Sequence, residues 1–139
     1  MPIKMTHILV LAALAALATP AVAQKEILRG PGGSDIYQDG DHVIEVVSNM
    51  GDDPRGYWCG AVKYGREAKM DWDSKIYVVS GPAPTSFKES GDGVKFTMDP
   101  AAAGVSAGAN GDSFAPGTWM TMSEANRGCD DIDNPHDGN

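Results

Sequence analysis

The chain has two cysteines, Cys59 and Cys129. Cys59 lies in "DDPRGYWCGAVKYG" (residues 52–65), just inside an expected helix start. A thiol placed there has a lowered pKa, which favours the nucleophilic thiolate. A cysteine hydrolase also needs a histidine base. Beyond the first residues of the chain only His42 and His136 remain, one near a strand start and one near the end. There is no C-x-x-C, so a thioredoxin-like redox role lacks its motif. Three readings stay open: a structural disulfide, two free or metal-binding thiols, or a catalytic thiol. For an exported chain with one cysteine in its main helix and one after its last, the disulfide is the simplest.

Ser106 lies in "GVSAG" (residues 104–108), a G-x-S-x-G match. That motif works at a sharp turn between strand and helix, with an acid and a histidine following. Here an Ala/Gly-rich loop surrounds it and only His136 follows, so coincidence is the expectation. The acids Asp35, Asp39 and Asp41, and Asp130, Asp131, Asp133 and Asp137, offer oxygen ligands for calcium. Neither group fits the twelve-residue calcium loop, and solvated turns are the plainer account. No metal site, catalytic set or cofactor is expected. Trp72, between Asp71 and Asp73, and Trp119, beside Met120, are the candidate binding surface. Exposed together they would form a stacking platform for a sugar or an apolar partner. Core packing is the readier reading of both, as it is of Trp58.

These residues need elements to hold them. "DIYQDGDHVIEVVSNM" predicts two strands around the Asp39-Gly40 turn, with Ile44 and Val46 facing the core. Asp53 as N-cap and Pro54 at the first helical position predict a helix over about 54–69, with Tyr57, Ala61, Tyr64 and Ala68 in one stripe. Gly56, Gly60 and Gly65 weigh against it by roughly 1 kcal/mol each. "KIYVVSG" (75–81) predicts a strand stopped by Gly81-Pro82, and "GVKFTMDP" (93–100) another, with Val94, Phe96 and Met98 on one face. Thr121-Met-Ser-Glu124 is a capping box opening a short helix closed by Gly128. The expected class is α+β: a small, mainly antiparallel sheet with one principal helix and a short C-terminal helix.

The first residues read as a leader. Lys4, the eleven-residue apolar run Ile8 to Ala18, and Ala21 and Ala23 around a cleavage point form a secretory signal over 1–23. The run is short of the roughly 20 residues of a membrane span, so no stable insertion is expected after cleavage. Residues 24–33 read as a flexible lead-in, 34–129 as a single α+β domain and 130–139 as an acidic tail. With 11 Lys and Arg against 19 Asp and Glu, the net charge is −8. Such a chain repels nucleic acid and anionic lipid.

The order "HVIEVVS … YWCGAVKYG … KIYVVSGPAPT … VKFTMDP … EANRGC" resembles a set of short exported proteins of alphaproteobacteria, across most of residues 42–129. Its most specific pieces are Tyr57-Trp58-Cys59, the strand around Ile76–Val79, and Ala125-Asn126-Arg127 with Cys129. Such proteins carry no assigned activity, so the resemblance brings no catalytic residues. It implies export, periplasmic or beyond, and pairing of the two cysteines. The expected role is a non-enzymatic binding or interaction module of the cell envelope, meeting an envelope protein or glycan. The alternative is a small envelope hydrolase, whose site these residues do not assemble.

Overall fold

The computed structural model describes residues 26–133. The expected leader and its expected cleavage point lie outside them, as do residues 134–139 of the expected tail. Among the described residues six strands form one sheet: β1 (Leu28–Arg29), β2 (Asp35–Gln38), β3 (Ile44–Val47), β4 (Lys75–Pro84), β5 (Asp92–Thr97) and β6 (Trp119–Thr121). Their order is β1-β2-β3-β5-β4-β6, with every neighbour antiparallel. The principal helix α1 (Arg55–Glu67) crosses from β3 to β4, and α2 (Met122–Ala125) and α3 (Asp130–Asp133) end the described chain. The α+β class is therefore as expected.

The first hairpin follows from local signals. Gly40 takes φ +85° in the turn, and the Asp39 N–H donates to the Val43 carbonyl at 2.8 Å. This register puts Ile36, Ile44 and Val46 on the helix side, where Val94, Phe96, Ile76 and Val78 join them in a closed core. Helix α1 starts where the Asp53 carboxylate accepts from the Arg55 N–H at 3.0 Å, with Pro54 already in helical torsions. It ends at Glu67, and Lys69 just beyond, with a φ of +56°, turns the chain away. Trp58 is buried as expected. Its ring lies 5.0 Å from that of Phe96, and its Nε1 donates to the Asp112 carbonyl at 3.1 Å.

The buried face of α1 differs from the expected stripe. Ala68 is exposed and Tyr64 only half-buried, whereas Gly56, Gly60 and Gly65 lie on the packed side. A Cβ on Gly60 would stand 2.5 Å from Val46 Cγ1, and one on Gly56 would overlap Ser48 Oγ. These glycines let the helix backbone sit directly on β3.

Three further differences concern strand pairing. The expected lead-in contains β1: Leu28 pairs with Ile36 and Arg29 with Asp35, and the Ile27 N–H donates to the Ile36 carbonyl at 2.8 Å. β4 does not stop at Gly81-Pro82 but runs on to Pro84, pairing Ala83 with Gly93 and Pro84 with Asp92. Two register shifts after Val78 make room, and β6 covers only Lys75 to Tyr77 of its other edge, so the missing proline N–H groups break no ladder. β6 itself was not expected from the sequence. α2, by contrast, is capped as predicted, with Thr121 Oγ1 accepting from the Glu124 N–H at 3.1 Å.

The chain between β4 and β5 folds as a strap over the sheet face opposite α1. Phe87 stacks on Tyr37 with ring centroids 4.8 Å apart, and Lys88 Nζ lies 2.9 Å from Asp35 Oδ2. Tyr37, Asp35, Glu45 and Val47 on that face are buried. Burial pushes the Asp35 carboxyl up, but the Lys88 hydrogen bond, hydrogen bonding with Glu26 and the charges of Lys88 and Arg29 outweigh it, and the carboxyl is held below its ordinary 3.8. The same hydrogen bond raises Lys88 above 10.5. The Asp35 contribution is therefore full above the ordinary carboxylate value and lost as pH falls through the lowered one. The Lys88 contribution is full below 10.5 and lost as pH rises past its raised value. Asp35→Asn is expected to cost about 1 kcal/mol at neutral pH and to flatten the acid limb of stability below about pH 4. Urea melts of both proteins across that range measure this; parallel acid limbs would remove Asp35 from the account.

Candidate functional site

Cys59 and Cys129 are bonded to each other, with Cα atoms 5.6 Å apart. Both sulfurs are buried, at 1% and 3% residue exposure, between α1 and the segment after α2. The free-thiol, metal-thiol and catalytic-thiol readings thus fall away. Ser106 is exposed in a stretch without regular structure, running from the turn at Ala103-Gly104 towards Gly108. The strand-to-helix turn that would activate it is not formed there. His42 is exposed and borders a shallow groove of about 170 Å³ with Tyr64, Met70 and Met98; Ser106 is not among its walls. His136 lies outside the described residues.

Three of the acids are paired with cations. Asp35 meets Lys88, Asp39 meets Lys95 at 2.7 Å, and Asp53 meets Arg55 at 2.7 Å. Among the described residues no three metal-ligating side chains converge on one point.

The two tryptophans leave the core for different sides of the sheet. Trp119 is the direct cross-strand partner of Tyr77, and Met120 that of Ile76. Ile76 and Met120 pack into the helix-side core, so alternation sends Trp119, Tyr77 and Lys75 to the opposite face. There Lys75 Nζ lies 4.2 Å above the Trp119 ring, and the indole Nε1 donates to the Gly108 carbonyl at 3.1 Å. Segment 108–111 runs beside β6: Trp119 N–H donates to Ala109, and Asn110 Nδ2 donates to the Trp119 carbonyl at 3.0 Å. The indole is thus fixed at its edge and half-buried, with Tyr77 beside it.

Trp72 stands in the turn after α1, 48% exposed, with the Arg66 guanidinium 5.9 Å from its ring. Arg66 belongs to α1, so Trp72 is on the helix side. The structure does not bring the pair into one platform. It groups Trp119 with Tyr77 and Lys75, which the sequence reading did not single out. The signal was available: in "KIY", alternation around the apolar Ile76 puts Lys75 and Tyr77 on one face.

Comparison with protein-family models, curated proteins and solved structures finds no match for this chain.

Proposed function

We propose that this chain is an exported, disulfide-stapled binding module of the cell envelope, and that its ligand is an envelope glycan held on the outward face of β4 and β6. The observation that carries the reading is the cross-strand pair of Tyr77 and Trp119 on the face that α1 leaves uncovered. Aromatic rings with a polar rim suit a sugar, whose ring carbons pack on the π-face while its hydroxyls reach polar neighbours. Lys75 and Thr121, paired across the same two strands, supply such a rim. Export is supported by the leader pattern, by the resemblance to exported alphaproteobacterial proteins, and by a disulfide, which persists in oxidising compartments. Among the described residues no helix is long and apolar enough to cross a membrane.

Titration with soluble peptidoglycan fragments, followed by tryptophan fluorescence and calorimetry, tests the reading. Trp119→Ala is expected to weaken binding at least about tenfold, a loss of about 1.4 kcal/mol, with little change in melting temperature. Trp72→Ala, on the other side of the sheet, is expected to leave affinity unchanged. Binding that survives Trp119→Ala and Tyr77→Ala would place the contact elsewhere. Cleavage of the fragments during titration would support the hydrolase instead.

A further inference from the structure

A cleft of about 360 Å³ opens on the helix side of the sheet, at the end where β5 begins. Strand alternation brings its walls together. Asp92 shares the helix side of β5 with Val94 and Phe96, and its direct partner on β4 is Pro84, so Pro82 stands on that side too. Ser48 continues the side of Val46 beyond β3, against the first turn of α1. Tyr57 reaches the cleft from α1, Phe114 meets it edge-on with ring centroids 5.3 Å apart, and Asp52 arrives from the turn before the helix. We propose that this cleft binds an organic ammonium group carried on an apolar stem. It lies on the other side of the sheet from Trp119 and is independent of the glycan reading.

The Tyr57 hydroxyl is the first sign of a ligand. Tyr57 is only 5% exposed. Among the described residues its hydroxyl has no hydrogen-bond partner, and protein does not enclose it, so it opens onto the cleft that the residue lines. A hydroxyl on so buried a side chain ordinarily has a partner. Burial raises the phenol above its ordinary 10.0, and the charges of Asp92 and then Asp52 raise it further, so both carboxylates stand around the same oxygen. The phenol stays protonated at neutral pH, with lone pairs free to accept from an ammonium.

Charge is the second sign. Asp52 and Asp92 are exposed and, among the described residues, neither is paired with a cation. No described Lys, Arg or His lines the cleft. The positive end of α1 is already met by Asp53, whose carboxylate accepts from the Arg55 N–H. The Tyr57 and Phe114 rings and Pro82 make the remaining wall apolar. Two carboxylates at the rim attract an ammonium, the rings add to that attraction, and the apolar wall packs on its carbon stem. A hard divalent cation is a poorer match, since it takes about six to eight oxygen ligands. The volume is at the small end of the range for ligand sites, about 300–1,000 Å³.

Titration of the disulfide-bonded protein with n-butylammonium chloride, followed by backbone amide NMR shifts, tests the site. The controls are sodium chloride at equal ionic strength and n-butanol. Saturable shifts at Ser48, Asp52, Tyr57 and Asp92 are expected with the ammonium and with neither control. Asp52→Asn combined with Asp92→Asn should weaken binding at least about fivefold. Tyr57→Phe should weaken it about threefold without lowering the melting temperature, since no hydrogen bond of the free protein is lost. Asp71→Asn, which removes an exposed acid outside the cleft, should bind as the parent does. A blocked tripeptide with a central lysine separates the sources: tighter binding than n-butylammonium indicates a lysine side chain of a peptide, and equal or weaker binding a free amine. Equal responses to n-butylammonium and either control, shifts confined to residues outside the cleft, affinity that persists in both the double variant and Tyr57→Phe, or an equal loss in Asp71→Asn would each overturn the proposal.

Discussion

Reduction of the Cys59–Cys129 bond is expected to lower stability by about 4 kcal/mol, the loop-entropy figure for a closure of this length and an upper one, since residual unfolded structure reduces it. The bond joins residues 70 positions apart. It therefore restricts the unfolded chain across most of α1, the strap and three of the six strands. A domain of this size has a total stability of about 5–15 kcal/mol, so the loss is a large share of the whole. In the folded state the bond ties α1 to the segment after α2, where α3 adds only one turn. Cys59→Ala and Cys129→Ala are expected to destabilise alike, and the double variant no more than either, because one bond is lost in all three. Two independent buried side chains would instead add. Urea denaturation of the three variants, and of the parent with and without reductant, measures this. Additive losses would end the account of the bond as a shared staple. Equal losses would connect stability to location: the chain reaches full stability only where disulfides form.

What was legible in the sequence was local. The β2–β3 hairpin announces itself in Asp39-Gly40 between alternating runs, β5 in the spacing of Val94 and Phe96, and α2 in Thr121 and Glu124. What escaped was set by distant partners. β6 is three residues long and exists because Lys75, Ile76 and Tyr77 offer it an edge. β1 is two residues long and depends on β2 in the same way. The strap has no pattern of its own; Phe87 and Lys88 find Tyr37 and Asp35 some fifty residues earlier. Prolines 82 and 84 read as a strand stop because sequence alone does not show that the second edge of β4 is open there. The candidate surfaces divide along the same line. Trp119 and Trp72 were visible as residue types, but their separation to opposite faces is a matter of β4–β6 register.

Gly60→Ala is expected to destabilise the fold by about 2 kcal/mol, although alanine is the better helix former. Gly60 is in the middle of α1, at an ordinary negative φ, so propensity alone predicts a gain of about 1 kcal/mol. The new Cβ would stand 2.5 Å from Val46 Cγ1 and 3.3 Å from Ser34 Oγ. Val46 cannot easily yield. It is fully buried, its branched side chain is stiff at χ1, and β3 is held between β2 and β5. The helix must lift from the sheet instead, loosening Trp58 against Phe96, and overpacking of that kind costs about 1–3 kcal/mol beyond the propensity gain. Gly111→Ala is the control, with open space around its Cβ and no positive φ, and is expected to change stability by less than about 0.5 kcal/mol. Val46→Ala removes the methyl that the new Cβ meets. Combined with Gly60→Ala it should therefore cost less than the sum of the two single changes, because the contact that makes each harmful is shared. Denaturant melts of the four proteins decide it. A Gly60→Ala protein as stable as the parent, or strict additivity with Val46→Ala, would mean that the glycine is not what seats α1 on β3.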